Sequence, residues 1–505
     1  MSPSTLSVVT PVDSSVYATV KISSSEQVQA AVELATKVQK VWKKVPVQER
    51  VAMGRRFLDN LGSRKDELAK ELTMQMGRPL RYTPGEIKGT QDRGKYMLDV
   101  AEEALKDVEI HEAGLEDKFK RFIRKEPVGV VLIVAPWNYP YLSSLNGVLP
   151  SIIAGNAVIL KHSSQTPLCG ERFAQAWKEA GLPEGIFQCI HMSHADTESL
   201  VGNPLINYVN FTGSVEGGHQ IQKAASKKFI GTRPRKQPEN TKGSNVSKSF
   251  NSCTYDDVLS LFRYIRLATG LELGGKDPAY VRPDCDLKYT VETLVDGSFF
   301  NSGQCCCAIE RIYVHADIYD EFVSAFIKET KNYRLGDPLD LETTLGPMVK
   351  AKAADFVRGQ IADAVAQGAK AHIDLSLFPA DKPGTPYMAP QVLTEVTHKM
   401  RVMTEESFGP VIGIMKVASD DEAIQLMNDS DFGLSASIWT NNADAALAIG
   451  DRIDTGTWFM NRCDYLDPAL AWVGVKDSGR GCTLSKFGYD QVTRLKSFHM
   501  KLTTA

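Results

Sequence analysis

Apolar positions along the chain follow two rhythms in turn. Val28, Ala31, Val32, Ala35, Val38 and Trp42 recur at near-helical spacing behind the helix-start signal Ser23-Ser24-Ser25-Glu26, which predicts a helix to about residue 44. Further helical stretches are predicted at 46–76 and 84–107, making a helical layer ahead of any sheet. The rhythm then changes. Val128-Gly129-Val130-Val131-Leu132-Ile133-Val134-Ala135 is a continuous apolar run, the pattern of a strand buried on both faces of a parallel sheet. From there the two periods alternate, with helices predicted at 143–154, 167–180 and from 220, and strands at 157–161, 187–191 and 208–211. Such alternation predicts a doubly wound α/β sheet.

Two stretches carry candidate chemistry on this scaffold. The strand at 208–211 runs into Thr212-Gly213-Ser214-Val215-Glu216-Gly217-Gly218. No GxGxxG is present, yet a glycine-bearing turn between strand and helix offers close backbone approach and free N–H groups for a pyrophosphate. Asn138 follows the 128–135 run directly, at the strand end where open α/β sheets place ligands. The second stretch is Phe299-Phe300-Asn301-Ser302-Gly303-Gln304-Cys305-Cys306-Cys307-Ala308-Ile309-Glu310-Arg311. Neighbouring α-carbons sit about 3.8 Å apart and a relaxed disulfide needs about 4.4–6.8 Å, so three adjacent thiols cannot all be staples. They read either as a nucleophile near a turn or as small buried hydrophobes.

Composition narrows the field. A chain of 505 residues suffices for two or three domains with separate cores. Its net charge of −3 gives no global attraction to nucleic acid or to anionic membranes. No apolar run approaches the roughly 18 residues of a spanning helix, and residues 1–11 lack the basic and apolar regions of a signal peptide. The expectation is a cytoplasmic protein with neither nucleic-acid nor membrane partners. Nine cysteines without a CxxC pair or zinc-like Cys/His spacing indicate reduced thiols and no metal, with His191 and His194 in a polar loop.

Leu271-Glu272-Leu273-Gly274-Gly275-Lys276 and Ala135-Pro136-Trp137-Asn138-Tyr139-Pro140 join the cysteine stretch, as do the motifs at 405–411 and 473–481. Together they resemble the aldehyde dehydrogenase superfamily over residues 24–501. The resemblance implies an α/β fold: a Rossmann-like doubly wound NAD(P)-binding domain (1–108 and 128–232), an α/β catalytic domain (270–480) and oligomerisation strands (109–127 and 493–503). A homodimer or homotetramer is implied. Cys306, second after Gly303-Gln304, becomes the nucleophile toward a small-molecule aldehyde, passing through a thiohemiacetal and a thioester. The Asn138 amide and the Cys306 N–H become its oxyanion donors, and Glu272 the general base, its pKa raised by the flanking leucines. For NAD or NADP, the resemblance implies Lys161 at the adenosine ribose, with Ser164 where strict NAD users often carry glutamate. Gly213, Ser214, Gly218 and Trp137 fall to the pyrophosphate region, Glu406 to the nicotinamide ribose and Phe408 to the ring. Tyr139, Leu142, Phe300, Cys305, Cys307 and residues 464–467 are expected along the substrate channel, and the want of an arginine pair there disfavours a semialdehyde acid.

Residues 233–269 are foreign to this pattern, because joining 228–232 directly to 270–275 gives the uninterrupted strand that carries the base in the family. Basic and rich in Ser, Asn and Pro in its first half, the stretch reads as a disordered insert, either a surface loop or translated intron sequence. A loop leaving from inside a buried strand is expected to displace Glu272. That leaves two alternatives open: an impaired binding or structural protein of this fold, or a thiol esterase using the same residues without hydride transfer.

Overall fold

The computed structural model describes residues 5–111, 118–226 and 269–503. Its helical layer begins with Ser25–Trp42, nucleated by a capping box in which Ser24 Oγ accepts from Gln27 N and the Gln27 side chain accepts from Ser24 N. The stretches expected as two long helices are each divided. Val47–Gly62 and Lys65–Met76 replace the first, and Thr83–Asp99 and Ala101–Leu105 the second. Gly77, at φ 87°, closes Lys65–Met76 in the left-handed conformation glycine favours. A hairpin of Thr5–Val9 and Val16–Lys21 precedes this layer without having been predicted.

The first sheet has the order Gly479–Arg480, Thr269–Glu272, Tyr208–Thr212, Val130–Val134, Ala157–Lys161, Phe187–Cys189, parallel except for its first strand. Its central strands are buried on both faces, and alternate residues enter different cores. Val131 and Ile133 pack with Phe57, Leu149 and Phe173, whereas Leu132 and Val134 pack with Val32, Val201 and Ile221. Helices therefore cover both faces, as the apolar runs required. The helix expected from residue 143 starts at Pro140, the one expected from 220 starts at Val215, and His194 opens the helix His194–Val201 rather than lying in a loop.

Thr269–Glu272, expected to open the catalytic domain, hydrogen-bonds into this first sheet, with Val209 opposite Thr269 and Thr212 opposite Glu272. Residues 233–268 of the expected insert lie outside the described residues, but Thr269 belongs to the strand and not to an insert. Glu272 keeps its register, so the expected displacement is not seen.

The second sheet has seven strands in the order Lys370–Ala371, Gln391–Thr394, Val411–Val417, Ile309–His315, Asp277–Val281, Ser435–Trp439, Thr457–Met460. Ile309–His315, which follows the cysteines, is central. Thr493–Lys501, Phe119–Pro127 and Val108–Glu109 make a separate three-stranded sheet, with Phe122 stacked on Phe498 at 4.4 Å. No helix among the described residues is long and apolar enough to cross a membrane.

Candidate active site

Val134, Lys161, Thr212 and Glu272 are the last residues of four neighbouring strands in the first sheet, and all four line one cavity. Loops of the second sheet form the opposite wall through Cys306, Glu406 and Asp464. The volume, about 1190 Å³, exceeds the roughly 1,000 Å³ upper range of single small-ligand sites and leaves room for a dinucleotide beside a substrate. Of the residues expected at a site, Trp137, Asn138, Lys161, Ser164, Gly213 and Ser214 line it, as do Glu272, Cys306, Glu406 and Phe408. Gly218 does not. A β-carbon there would lie 2.7 Å from Leu273 Cδ2, so this glycine seats its helix against the strand.

Local backbone geometry sets the thiols. Asn301 and Ser302 adopt left-handed φ values of 55° and 57°, and the turn is pinned by the buried Gln304 side chain. Gln304 Nε2 donates to Asn301 O at 3.1 Å, and Oε1 accepts from Val349 N at 2.8 Å. Against this turn packs Gly275, where a β-carbon would fall 2.2 Å from Cys306 O; only glycine allows that approach. Cys305 and Cys307 are buried, with Sγ atoms 3.5 Å apart, and Asp464 Oδ1 lies 3.0 Å and 3.2 Å from them. Donation from the Cys305 thiol, then the Cys307 thiol, pulls Cys306 below the ordinary thiol range to about 6. Each neighbour has one proton, so it cannot serve Asp464 and Cys306 together. Burial holds Asp464 well above the usual carboxylate range, which weakens it as an acceptor beside the Cys306 sulfur.

Asn138 is buried, its Nδ2 only loosely engaged with Gln304 O at 3.4 Å. Its carbonyl accepts from Arg78, whose guanidinium also donates to Asn301 Oδ1 at 3.0 Å and to Glu86 at 2.5 Å, and lies over the Tyr139 ring. Arg78 thus ties the Asn138 turn to the cysteine turn. Sequence reasoning missed this residue, although Met76-Gly77-Arg78-Pro79, an arginine between two backbone punctuators, was a visible signal.

Glu272 accepts from Thr483 Oγ1 at 2.6 Å and from Thr212 Oγ1 at 3.3 Å, and burial raises its carboxyl above the usual range. The leucines expected to do this face the other way, into the core. Burial, then Glu310, raises Glu406 to about 8, and Glu406 Oε1 accepts from Gly275 N at 2.9 Å. Glu310 fixes that loop by accepting from Lys276 Nζ (2.6 Å), Ser407 N (2.8 Å) and Phe408 N (2.9 Å). Phe408 then meets Trp137 edge-to-face at 5.6 Å.

At the far end Lys161 is buried with no ion pair among the described residues, and burial lowers its pKa. Ser214 caps Val215–Ala225 by accepting from Gly217 N, so that helix presents its N-terminus to the cavity. An unpaired cation, a helix N-terminus and a carboxylic acid held by Gly275 fit the ribose, pyrophosphate and second ribose of a dinucleotide. A further cation was not anticipated. Arg93, from Thr83–Asp99, reaches the substrate end, where it donates to Asn146 Oδ1 at 3.0 Å, and burial draws its pKa down to about 10. No carboxylate among the described residues forms a salt bridge with it.

Comparison with known proteins bears on this cavity. A sequence model of the Aldehyde dehydrogenase family matches residues 1–233 and 265–498. The chain is 34% identical over 430 residues to a succinate-semialdehyde dehydrogenase [NADP(+)] of Mycobacterium avium, covering 85% of this chain and 82% of that one. It is 33% identical over 450 residues to an aldehyde dehydrogenase of Paenarthrobacter nicotinovorans, covering 89% and 90%. Among solved structures it matches NADP-dependent glyceraldehyde-3-phosphate dehydrogenase from Bacillus halodurans C-125 complexed with NADP, with a TM-score of 0.86, 30% identity, and 99% and 96% of the two chains covered.

Proposed function

The chain belongs to the aldehyde dehydrogenase family, and on that premise we propose that Cys306, Asn138 and Glu272 carry an NAD(P)-dependent oxidation of an aldehyde to a carboxylic acid. The observation that carries this reading is their convergence, with Lys161 and Ser214, on one continuous cavity. The Cys306 thiolate attacks the aldehyde carbon, and the oxygen that becomes anionic is met by the Asn138 amide and the Cys306 N–H. One such donor typically contributes about 2.7–4 kcal/mol to the transition state. When bound, NAD or NADP supplies the hydride acceptor that lets this adduct become a thioester. Glu272 takes a proton from the water that hydrolyses the thioester; its raised pKa brings it closer to the range a base needs near neutrality. Lys161 would hold the adenosine ribose, Ser214 and Trp137 the pyrophosphate, Glu406 the second ribose, and Phe408 would pack on the ring.

Arg93 adds a substrate class. A guanidinium buried in the cavity without a salt-bridged carboxylate is a receptor for an anion. The relatives named for succinate semialdehyde and glyceraldehyde 3-phosphate act on aldehydes that carry one. The preferred substrate is an aldehyde bearing a carboxylate or phosphate, which reverses the expectation drawn from the missing arginine pair.

The enzyme acts in the cytoplasm as a homodimer or homotetramer. Thr493–Lys501 supports the association, since it is an edge strand with Leu495 and Met500 exposed, a surface that a second copy would cover. The test of the main reading is absorbance of NADH or NADPH on adding aldehyde. It appears with the parent chain and not with Cys306→Ala; ester hydrolysis without reduced cofactor would instead select the esterase, and neither activity a non-catalytic protein.

A further inference from the structure

More sulfur stands at the substrate end than the chemistry above uses. The ligating atoms of Cys305, Cys306 and Cys307 all lie within 4.8 Å of one another. In an extended strand consecutive side chains alternate between faces and cannot converge; here the thiols occupy a turn just ahead of Ile309–His315. Beside two of them stands Asp464, from a distant loop whose backbone is left-handed there, at φ 47°. Its Oδ1 sits 3.0 Å from Cys305 Sγ and 3.2 Å from Cys307 Sγ.

Three sulfurs, with a carboxylate oxygen beside two of them, are the kinds of donor that a tetrahedral zinc site uses. Zinc takes thiolates at about 2.3 Å and carboxylate oxygens at about 2.0–2.2 Å, so tetrahedral ligands would stand about 3.8 Å apart for sulfur pairs and about 3.5 Å for sulfur and oxygen. The Cys305–Cys307 separation of 3.5 Å and both Asp464 contacts lie within about half an ångström of those values. Cys305 and Cys307 are 4% and 1% exposed, so little water competes, while Cys306 opens on the cavity and gives a metal its way in.

We propose that Cys305, Cys306, Cys307 and Asp464 form a binding site for a soft divalent cation of the zinc class, and that its occupation blocks the nucleophile. The Cys305 and Cys307 thiols, and the Asp464 carboxyl where it is protonated, release their protons to solvent, while Cys306 binds as the thiolate; no electron moves. Three thiolates and a carboxylate around a divalent ion carry the same net charge as a four-cysteine zinc site, and Arg93, a cation lining the same cavity, offsets part of it. Soft sulfur excludes magnesium and calcium. The site is absent from any sequence motif because Asp464 is 157 residues from Cys307.

The experiment uses the full chain, reduced and freed of metal by a chelator. Zinc chloride is titrated against aldehyde oxidation, and cobalt(II) is titrated in the absence of turnover, watching for thiolate-to-cobalt charge-transfer absorption. One equivalent of zinc should inhibit, a chelator should restore the rate, and one equivalent of cobalt should develop the thiolate band. Alkylating Cys306 with iodoacetamide in the folded parent should abolish that band. Cys305→Ser, Cys307→Ser and Asp464→Asn should each raise the dissociation constant for zinc, read by displacement of cobalt, at least about tenfold. An undiminished zinc affinity in the Cys305→Ser/Cys307→Ser variant overturns the proposal. So does a cobalt band that survives alkylation, or a parent chain that develops none.

Discussion

Replacing Cys305 and Cys307 together by alanine should move the titration of the nucleophile. In the parent both thiols donate to Cys306 and hold it near 6. Removing them returns Cys306 toward the ordinary thiol value of about 8.5. At pH 7 the thiolate fraction then falls from about 0.9 to about 0.03, roughly thirtyfold, or about 2 kcal/mol. The remaining thiolate is a better nucleophile. With a Brønsted slope of about 0.4–0.5 over about 2.5 pK units it gains roughly tenfold, so the net loss at neutral pH is only about threefold. A single rate is therefore a poor test, and the pH profile a sharp one. The assay is the second-order rate of iodoacetamide alkylation at Cys306 from pH 5 to 10, alongside kcat/KM for aldehyde. The acid limb should have its midpoint near 6 in the parent and near 8.5 in the double alanine variant, which should overtake the parent in alkaline solution. The serine pair, whose hydroxyls still donate, should stay within about one unit of the parent. A midpoint common to all three proteins would refute the claim that the flanking thiols set the reactivity of Cys306.

Other consequences follow from the same geometry. Glu272→Gln should give a rapid burst of reduced cofactor followed by slow turnover, because the base serves thioester hydrolysis; an unchanged steady rate rejects it as the base. Arg93→Met should lower kcat/KM for succinic semialdehyde relative to butanal by at least about tenfold, mainly through KM, since a charged hydrogen bond contributes about 1.5–3 kcal/mol; an unchanged ratio removes Arg93 from substrate recognition. NADP should be accepted, Ser164 offering no charge against a 2′-phosphate, and a preference for NAD above about a hundredfold, on the order of 2.7 kcal/mol, would contradict this. Arg78→Met should destabilise the fold by about 3–5 kcal/mol, seen as a lower melting midpoint, because Glu86 is left charged and 1% exposed. Arg78→Met/Glu86→Leu should melt above Arg78→Met; a lower midpoint would show that the ion pair is not the cause.

Much of the fold was legible in the chain because burial on both faces leaves a local mark. The run at 128–135 could only be a central strand, and Val130–Val134 divides its side chains between two cores as such a strand must. Candidate residues next to turns were legible for a related reason. Asn138, Lys161 and Ser214 sit at or just after strand ends, where the change of period can be read directly. Gly218 misled because a glycine near a helix start has two uses, facing a ligand or admitting a neighbour, and the Leu273 side chain that decides between them is distant in sequence.

What the sequence by itself determined is the alternation of strand and helix and the order of the motifs, because each rests on contacts within a few residues or on a motif read in line. Only the tertiary structure decided that Thr269–Glu272 closes onto Tyr208–Thr212, that Thr483 holds Glu272, and that Arg78 links Asn138 to Asn301. It also decided that Arg93 meets Asn146 in the same cavity and that Asp464 meets Cys305 and Cys307. Each of these is a polar contact between segments far apart in the chain, made in a buried place where an unpaired donor or acceptor is costly. Helical and strand periods record which residues leave water, but not which partner a charged group meets once it has left.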